Sequence, residues 1–419
     1  MRILFLSQIV PWPLDAGPKI KSWNVLQHLK EAGHEVWFVS FVRAEEEKYI
    51  PKVKELLDHA WFVPIRRSRI NDLYFLIKSR FTGKPFLVER DHLGSMRDLV
   101  KKLIGENHFD ILHADQLTMA QFFTMPVGDS DGGSNVDSPK RVFDAHNATW
   151  KILERAADES KAPMKWFYQD EMRRLQQFER KIITDFDHTF TVSEIDKRSF
   201  LELSDNPQAI SPKITPIPIG INSRSYERAT NGSPSTPNQI VTLGSLNYPP
   251  NADGIRWFIR EVYPFVLQKK TDAFLWVIGK NPPSDFFEYE KEYSDHLKVT
   301  GYVDDLDSYF NQAALAVVPV KVGGGMRVRI LECFARNVPV ITTTIGAEGI
   351  EVSDGDNIFI EDEEEKFAQR IIDVLGNEPL RHKVVGNAKD LLLKKYDWSV
   401  VLRELERVYC DLVSTQVGS

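Results

Sequence analysis

The stretch from Pro319 to Thr343 constrains the fold of this chain more strongly than any other part of the sequence. It follows an apolar segment, Ala314–Val318, and contains the glycine triplet Gly323–Gly325. Residues at helical spacing come next, and then a second apolar segment, Val338–Thr342. An order of strand, glycine turn, helix and strand is that of a parallel βαβ unit. The sequence therefore predicts a parallel sheet.

The glycine triplet and the predicted helix after it also indicate a site for an anion. Backbone N–H groups can approach a ligand closely at glycine, and a helix N-terminus favours negative charge, so a phosphate fits there. Arg329 and Glu332 are three residues apart and share a helix face, which offers a cation to a diphosphate and a carboxylate to a sugar hydroxyl. With Arg327, they predict a nucleotide-sugar site. The alternative is a buried βαβ unit whose arginines are merely solvated.

The whole string resembles the donor-binding segment of glycosyltransferase family 4, the retaining GT-B enzymes. The family segment reads roughly G-G-G-x-R-x-K-x-x-E, in which Arg327 matches the Arg and Arg329 replaces the Lys. Glu332 matches the second Glu of the family pair, whereas Gly324 stands at the position of the first. The resemblance implies donor binding by the Gly323–Gly325 turn and Glu332, with catalytic roles for both arginines.

Two positions in the first half of the chain extend the resemblance. Gly17 lies in the turn after the first predicted strand, Ile3–Leu6, where relatives carry a glycine turn that faces the donor phosphate and the acceptor. The alternative is that Gly17 only permits the turn. His146 follows the predicted strand Arg141–Asp144 and matches the family histidine that faces the reacting sugar. Its competitor, His113, falls inside a predicted strand and is interpreted as a core histidine.

The second half of the chain supplies the remaining candidates. Gly244 opens a loop in which many relatives place an Arg and a Lys to neutralise the leaving diphosphate, and neither is present here. We therefore expect Arg327 and Arg329, with the N-terminus of their helix, to stabilise that negative charge. In relatives the turn at Tyr302 and Val303 contacts the nucleobase through backbone groups, although the same residues would suit a core strand.

The length of the chain indicates two domains, because 419 residues exceed what one hydrophobic core usually supports. The resemblance implies an α/β protein with the GT-B fold, in which two Rossmann-like domains with doubly wound parallel sheets face a cleft. Residues 1–215 are predicted to bind the acceptor, 216–395 to bind the nucleotide sugar, and 396–419 to form a helix that crosses back. Pro207–Ile221 and Ala229–Asn238 are predicted as the linker, and Gly128–Lys140 as a surface loop.

Composition and charge exclude several classes of protein. Hydrophobic residues make up 42% and charged residues 27% of the chain, as in a folded globular protein. A net charge of −7 argues against general nucleic-acid binding. Met1–Val10 is interpreted as a strand rather than a signal peptide, and Cys333 and Cys410 lie in helical patterns, so we expect a reducing cytoplasm without disulfides. We expect no metal and no cofactor, since no ligand cluster has a metal spacing and the family needs none.

Positive charge concentrates between Ile65 and Lys102, where it is interleaved with aromatic residues such as Tyr74, Phe75 and Phe81. Such a segment can rest on an anionic membrane or bind an acidic acceptor, and a solvated helical face is the alternative. The expected location is therefore the cytoplasm, and a peripheral position at the inner face of the membrane is the alternative.

The resemblance implies transfer of a hexose from a nucleoside-diphosphate sugar to a glycan, lipid-linked or small-molecule acceptor, with retention of configuration. Synthesis of cell-surface polysaccharide or glycoconjugate is the expected setting. Two alternatives stay open. One is a GT-B nucleotide-sugar epimerase, which needs acidic catalytic residues that we do not identify in the sequence. The other is a non-catalytic nucleotide-sugar-binding partner subunit, which Gly324 in place of a carboxylate keeps open.

Overall fold

A computed structural model describes residues 1–124, 138–226 and 237–417. Most of the predicted loop Gly128–Lys140 and of the predicted linker segment Ala229–Asn238 lies outside the described residues. The chain divides into two compact units, Met1–Ile219 with Leu402–Ser419, and Gly220–Val401. The predicted domain limits at 215 and 395 fall a few residues before these divisions.

The first unit is built on a seven-stranded parallel sheet. Its strands are β1 (Arg2–Ser7), β2 (Glu35–Val42), β3 (His59–Pro64), β4 (Ile111–Asp115), β5 (Lys140–Ala145), β6 (His188–Thr191) and β7 (Ile214–Pro216). Their order is β3-β2-β1-β4-β5-β6-β7, so the direction in which the sheet grows reverses between β1 and β4. Parallel sheets bind ligands beyond the carboxyl ends of their strands at such a switch point.

Helices cover this sheet because each parallel connection must return to the starting edge. Those described in the first unit before residue 219 are α1 (Gly17–Glu31), α2 (Ile50–Leu56), α3 (Arg69–Thr82), α4 (Phe86–Arg90), α5 (Gly94–Glu106), α6 (Leu117–Ala120), α7 (Thr149–Glu159), α8 (Met164–Asp185), α9 (Glu194–Leu201) and α10 (Pro207–Ile210). The sequence pattern from Ala148 to Ile183 predicts a long helical stretch, and the structure divides it into two helices, α7 and α8. Pro163 lies at the break, where it lacks an N–H group and disfavours helical geometry in the residue before it.

The linker predicted over Pro207–Ile221 is also wrong in part. It contains α10 and the edge strand β7, which pairs with β6. Ile214 is buried in the core of the first unit, so its apolar side chain anchors the strand. Pro216 is tolerated because β7 is at the edge of the sheet, where a missing N–H removes no ladder hydrogen bond.

The second unit is built on a six-stranded parallel sheet with the order β10-β9-β8-β11-β12-β13. Its strands are β8 (Gln239–Leu243), β9 (Phe274–Ile278), β10 (Leu297–Gly301), β11 (Leu315–Val318), β12 (Val340–Thr342) and β13 (Phe359–Ile360). Its α-helices are α11 (Pro249–Trp257), α12 (Tyr263–Lys269), α13 (Ser284–Glu292), α14 (Asp307–Phe310), α15 (Val328–Ala335), α16 (Thr344–Ala347), α17 (Glu364–Gly376) and α18 (Glu378–Leu391). The predicted βαβ unit is confirmed as β11, α15 and β12.

The last helix, α19 (Trp398–Val417), contributes to the core of the first unit although it starts in the second. From Leu402 onward its residues belong to the first unit, where Leu405 and Tyr409 are fully buried. Within the described residues, no helix combines the length and the apolar character needed to span a bilayer.

Candidate active site

In the second unit, the glycine turn lies between the carboxyl end of β11 and the start of α15. Gly323 and Gly325 have φ values of +115° and +83°, which side-chain-bearing residues rarely adopt. Arg327 directly precedes α15, and its Nη1 donates to the carbonyl oxygen of Gly324 at 2.6 Å and also to that of Gly325. The structure therefore brings Arg327 and the glycine turn together, with the guanidinium folded onto the turn.

Arg329 is the second residue of α15, and its guanidinium bonds to the end of β8 and to α11. Its Nη1 donates to the Leu243 carbonyl at 2.7 Å, and its Nη2 donates to Asn251 Oδ1 at 2.5 Å. Both of these acceptors are uncharged, so neither bond cancels the positive charge. Burial lowers the pKa of Arg329 to about 10, at which the guanidinium is still a cation at neutral pH.

Gly244 makes room for this guanidinium. A Cβ atom at position 244 would stand 2.4 Å from Arg329 Nη1, so the guanidinium would have to leave this position. The start of α11, which follows the loop after Gly244, lies beside the glycine turn. A Cβ built at Gly323 would lie 3.6 Å from Cβ of Pro250. Gly244, Arg329 and the glycine turn thus border one region, and Asn251, which sequence reasoning missed, positions the arginine.

The other predicted donor residues are placed differently. Glu332 is half-buried on α15, and burial raises the pKa of its carboxyl. Tyr302 directly follows β10 and is 72% exposed, so it does not belong to a core strand. Val303 is half-buried beside it. Whether these residues touch a nucleotide stays a prediction.

In the first unit, His146 follows β5 and bonds to a carboxylate at the sheet's switch point. Its Nε2 lies 2.7 Å from Oδ1 of Asp115, the last residue of β4. The hydroxyls of Ser7 and Ser22 each donate to Asp115 Oδ2 at 2.8 Å. The side chain of His146 is 8% exposed, and its Nδ1 is buried without a hydrogen-bond partner among the described residues.

The charge state of Asp115 follows from these contacts. Burial by itself raises the pKa of a carboxyl, but the charge and hydrogen bond of His146, with the bond from Ser22, bring the pKa of Asp115 below its ordinary value. An ionised Asp115 is an acceptor only. His146 therefore donates its Nε2–H to this carboxylate, and in the neutral form of the imidazole Nδ1 is a buried acceptor.

A second buried ion pair lies beside this group. Lys21 Nζ donates to Asp144 Oδ1 at 2.5 Å, and both side chains are buried. Ligand atoms of His113, Asp115 and Asp144 lie within 4.8 Å of one another, a spacing that could hold a metal ion. Lys21 already supplies a cation there, so these residues give no reason to expect a metal.

His113 itself is a core residue, as the sequence suggested. It is fully buried, stacks on Phe5 at 4.2 Å between ring centroids, and its Nδ1 lies 2.5 Å from Oη of Tyr409. Burial lowers the pKa of His113 to about 4. The histidine is therefore neutral at pH 7.

Gly17 is the first residue of α1, and a Cβ there would come to 3.0 Å from Cδ1 of Ile219.

Sequence reasoning missed three polar residues of the His146 site, Asp115, Lys21 and Ser22. The sequence pattern predicts a strand over Phe109–His113, and this prediction is wrong by two residues, since β4 spans Ile111–Asp115. A polar residue at the carboxyl end of a buried strand was the available signal.

The second unit is similar to a known family of proteins. Residues 237–377 match the model of the family described as Glycosyl transferases group 1. Most of the second unit therefore matches a group 1 glycosyltransferase domain. The match includes Gly244, the glycine turn, Arg327, Arg329 and Glu332. The resemblance predicted from the sequence is confirmed.

Similarity extends from this glycosyltransferase domain to nearly the whole chain. An uncharacterized 44.6 kDa protein of the cps region of Klebsiella pneumoniae is 20% identical over 411 residues, which cover 94% of this chain and 96% of that protein. A phosphatidyl-myo-inositol mannosyltransferase of Mycolicibacterium smegmatis is 23% identical over 316 residues, covering 74% and 73%. The crystal structure of Anabaena HepE in complex with UDP has a TM-score of 0.68 at 13% identity, covering 98% of this chain and 100% of that one. With two parallel-sheet units, the GT-B fold is confirmed.

Proposed function

We propose that this chain is a retaining glycosyltransferase that moves a hexose from a nucleoside-diphosphate sugar to a glycan or lipid-linked acceptor without a metal ion. The second unit binds the donor and the first binds the acceptor. Synthesis of cell-surface polysaccharide or glycolipid is the proposed setting, in line with the cps-region and mannosyltransferase relatives. The observation that carries the proposal is the family match over 237–377, which contains the complete glycine turn and both arginines.

The donor site is supported by the arrangement of positive charge. A departing nucleoside diphosphate concentrates negative charge, which needs preorganised cations or backbone N–H groups. Arg327 lies on the glycine turn, and Arg329 is fixed between Leu243 and Asn251. The N-terminus of α15 adds a partial positive charge at the same place. These groups take the place of the Arg and Lys that many relatives carry in the loop after Gly244.

The test is release of nucleoside diphosphate from UDP-, GDP- and dTDP-sugars in the presence of EDTA, with and without an extract of polyprenyl-linked and lipid acceptors. We expect release from one donor, and only when an acceptor is present. If that donor is an α-sugar, NMR of the product should show that the transferred sugar keeps the α configuration at its anomeric carbon. Donor conversion without an acceptor would identify an epimerase. Binding without release under every acceptor would favour the non-catalytic partner subunit.

Arg329→Ala is expected to lower turnover at least about a hundredfold, because loss of one such donor to developing charge typically costs that much. The matched control is Arg370→Ala on α17, which removes a guanidinium that is partly exposed and pairs with Asp354 at 3.5 Å. Circular dichroism and thermal unfolding verify the fold of both variants. Unchanged turnover in Arg329→Ala would refute the electrostatic role.

Contact with an anionic membrane is the last part of the proposal, and α3 supports it. Its exposed apolar residues recur at helical spacing and form one stripe, the α3 stripe: Ile70, Leu73, Tyr74, Ile77 and Phe81, each more than half exposed. Basic residues accompany the stripe, among them Arg66, Arg69 and Lys84. An amphipathic helix with an outward apolar face and basic neighbours adsorbs to anionic bilayers.

The membrane contact is tested by co-sedimentation with vesicles of phosphatidylglycerol and phosphatidylcholine. Ile70→Ser combined with Phe81→Ser is expected to weaken binding at least about tenfold, since each side chain would otherwise bury its apolar area in the bilayer. Phe287→Ser, at an exposed phenylalanine of α13, is the control and should bind as the native chain does. Equal binding of all three proteins would contradict the contact.

A further inference from the structure

A cavity of about 480 Å³ in the first unit is distinct from the sites described so far. It is lined by residues after β3, on the first turns of α3, and between α4 and α5. Three guanidinium groups, those of Arg66, Arg67 and Arg90, belong to its wall. Cavities that carry several arginines suit ligands with phosphate or carboxylate oxygens, which a guanidinium binds through two parallel hydrogen bonds.

The carboxylates near this cavity do not cancel the three arginines. Asp91 is fully buried behind them, where it accepts from Arg67 Nη2 at 2.5 Å and from Gln8 Nε2 at 2.7 Å. Asp72 is the other acid and lines the wall. Three cations thus face two carboxylates, and one positive charge is left over. Within the described residues, Arg66 forms no ion pair, and it is exposed.

Arg90 has an unused donor in this place. Its Nε is buried and has no hydrogen-bond partner among the described residues, since Asp91 Oδ1 is 3.6 Å away. A buried donor without an acceptor costs free energy that a bound anion would recover. Burial lowers the pKa of Arg90, and the charge of Arg67 lowers it further, whereas Asp91 raises it. An added negative charge would therefore be stabilised at this point.

The remainder of the wall is apolar and continuous with the α3 stripe. Ile65, Phe75 and Leu93 line the cavity together with Tyr74, which is itself a member of the stripe and 59% exposed. A ligand that fills the cavity therefore meets cations on one side and hydrocarbon on the other. That combination matches an amphipathic molecule with a phosphate head, whereas a free sugar has neither the negative charge nor the hydrocarbon.

The cavity does not belong to the His146 site. It lies beyond the carboxyl end of β3, whereas His146 follows β5, and the two strands are four positions apart in the sheet. At about 4.8 Å per strand this separation is about 19 Å. A phosphate in the cavity is therefore remote from a hydroxyl at His146, and the two would bind different ends of one acceptor.

We propose that this cavity binds the phosphate or diphosphate group of a lipid-linked acceptor, whose hydrocarbon chain lies along the α3 stripe. Its role as an acceptor site rests on the proposed function, because a lipid phosphate is an acceptor only if the chain transfers a sugar. The binding itself does not depend on that transfer. The ligand class is an amphipathic phosphate, recognised by Arg66 and Arg90 through its oxygens and by Tyr74 and Phe75 through its chain.

The experiment is calorimetric titration of the full chain, without sugar nucleotide, with geranyl diphosphate, inorganic diphosphate and geraniol. Geranyl diphosphate is expected to bind most tightly. Arg66→Gln should weaken it about tenfold, and Arg66→Gln with Arg90→Gln about a hundredfold, since each removes a charged hydrogen bond. Arg66 is exposed, so its variant retains the fold even where Arg90→Gln does not. Arg198→Gln, at an exposed arginine of α9, is the matched control and should bind as the native chain does.

The proposal is overturned if Arg66→Gln and the double variant bind geranyl diphosphate as tightly as the native chain. Equal, arginine-dependent affinity for inorganic diphosphate would also overturn it, because the site would then be a plain phosphate site. Equal affinity for geraniol would reduce the site to an apolar surface. No result of this titration depends on donor turnover, so a chain that binds the lipid phosphate yet releases no nucleotide would refute only the proposed function.

Discussion

Asp115 decides what His146 can do. The imidazole donates its Nε2–H to this carboxylate, and Ser7 and Ser22 hold the carboxylate in place by donating to its other oxygen. When the imidazole is neutral it has one donor and one acceptor nitrogen, so Nδ1 is then the acceptor. Nδ1 is then available to accept a hydrogen bond, and we propose that a sugar hydroxyl donates it. On this proposal, Asp115 is a positioning residue that acts through His146.

Asp115→Asn is expected to lower turnover about tenfold to a hundredfold, as loss of a partner that orients a functional histidine typically does. The amide can present its N–H to the ring and so favour the opposite tautomer. Nitrogen chemical shifts of His146 report the tautomer directly, which a merely structural change would not move. Ser40→Ala removes a buried hydroxyl from β2 and is the control. Native turnover together with a native tautomer in Asp115→Asn would contradict this role.

His113 makes the stability of the first unit depend on pH. Its pKa is about 4 in the folded chain and 6.5 ordinarily, so between these values the unfolded chain binds a proton that the folded chain does not. Stability is therefore lost as the pH falls through this window. From pH 7 to pH 5 the loss from this one group is about 2 kcal/mol.

His113→Asn is expected to lose about 2 kcal/mol less than the native chain over the same change of pH, because asparagine does not titrate. Urea unfolding at pH 7 and pH 5 measures the difference. His382→Asn, at an exposed histidine of α18, should behave like the native chain. Parallel losses in native chain and His113→Asn would show that the buried imidazole is not the cause.

At the scale of elements, α11 packs against the strand that leads into the glycine turn. A Cβ atom at Gly254 would lie 1.9 Å from the carbonyl oxygen of Pro319, the residue after β11. Backbone cannot yield as a flexible side chain does, so the helix approaches this closely only at glycine. Gly254 thereby fixes the distance between α11 and the end of β11, after which the chain enters the glycine turn.

Gly254→Ala is expected to destabilise the chain by about 1–3 kcal/mol through overpacking. Gly386→Ala is the matched control, since Gly386 is exposed on α18 and a Cβ there meets nothing within 4 Å. That change should stabilise the chain by about 0.5–1 kcal/mol, because alanine is the better helix former. Denaturant unfolding reads both effects. Shifts of the same sign in the two variants would disprove the packing argument.

Secondary structure was predictable where periodicity and apolar character agree. Five apolar residues followed by glycine predict a strand over Phe274–Ile278, and β9 has these bounds. At β4 the predicted strand ended before Ala114 and Asp115. A carboxylate is typical of a loop, although here Asp115 is the last residue of a buried strand. The break at Pro163 was missed because an apolar periodicity continues on both sides of it.

At the scale of the whole molecule, the chain forms two sheets with separate cores, and α19 returns to the first of them. Leu402, Leu405, Val408 and Tyr409 of this helix are all at least nine-tenths buried. Burying each such side chain contributes about 1.5–3 kcal/mol. Their sum, about 6–12 kcal/mol, is comparable to the entire stability of a typical domain.

Deletion of residues 402–419 is therefore expected to unfold the first unit while the second retains its structure. Hydrogen exchange of the truncated chain should show lost protection in β1, β4 and β5 and native protection in β8, β9 and β11. Deletion of 418–419 alone is the control and should leave both units native. Equal loss of protection in both sheets would mean that they unfold as one cooperative unit.

The βαβ order, the family resemblance and the fold class were readable from the sequence, because these depend on local spacing and on a contiguous motif. Only the tertiary structure decided which side chains meet. His146 and Asp115 are 31 residues apart, and Arg329 and Asn251 are 78 apart, so no local pattern pairs them. The exposure of the α3 stripe could not be predicted from the sequence either, because an apolar helix face has the same sequence pattern whether it faces a core or solvent. Packing, which joins distant residues, settles such questions, whereas the sequence pattern records only neighbours along the chain.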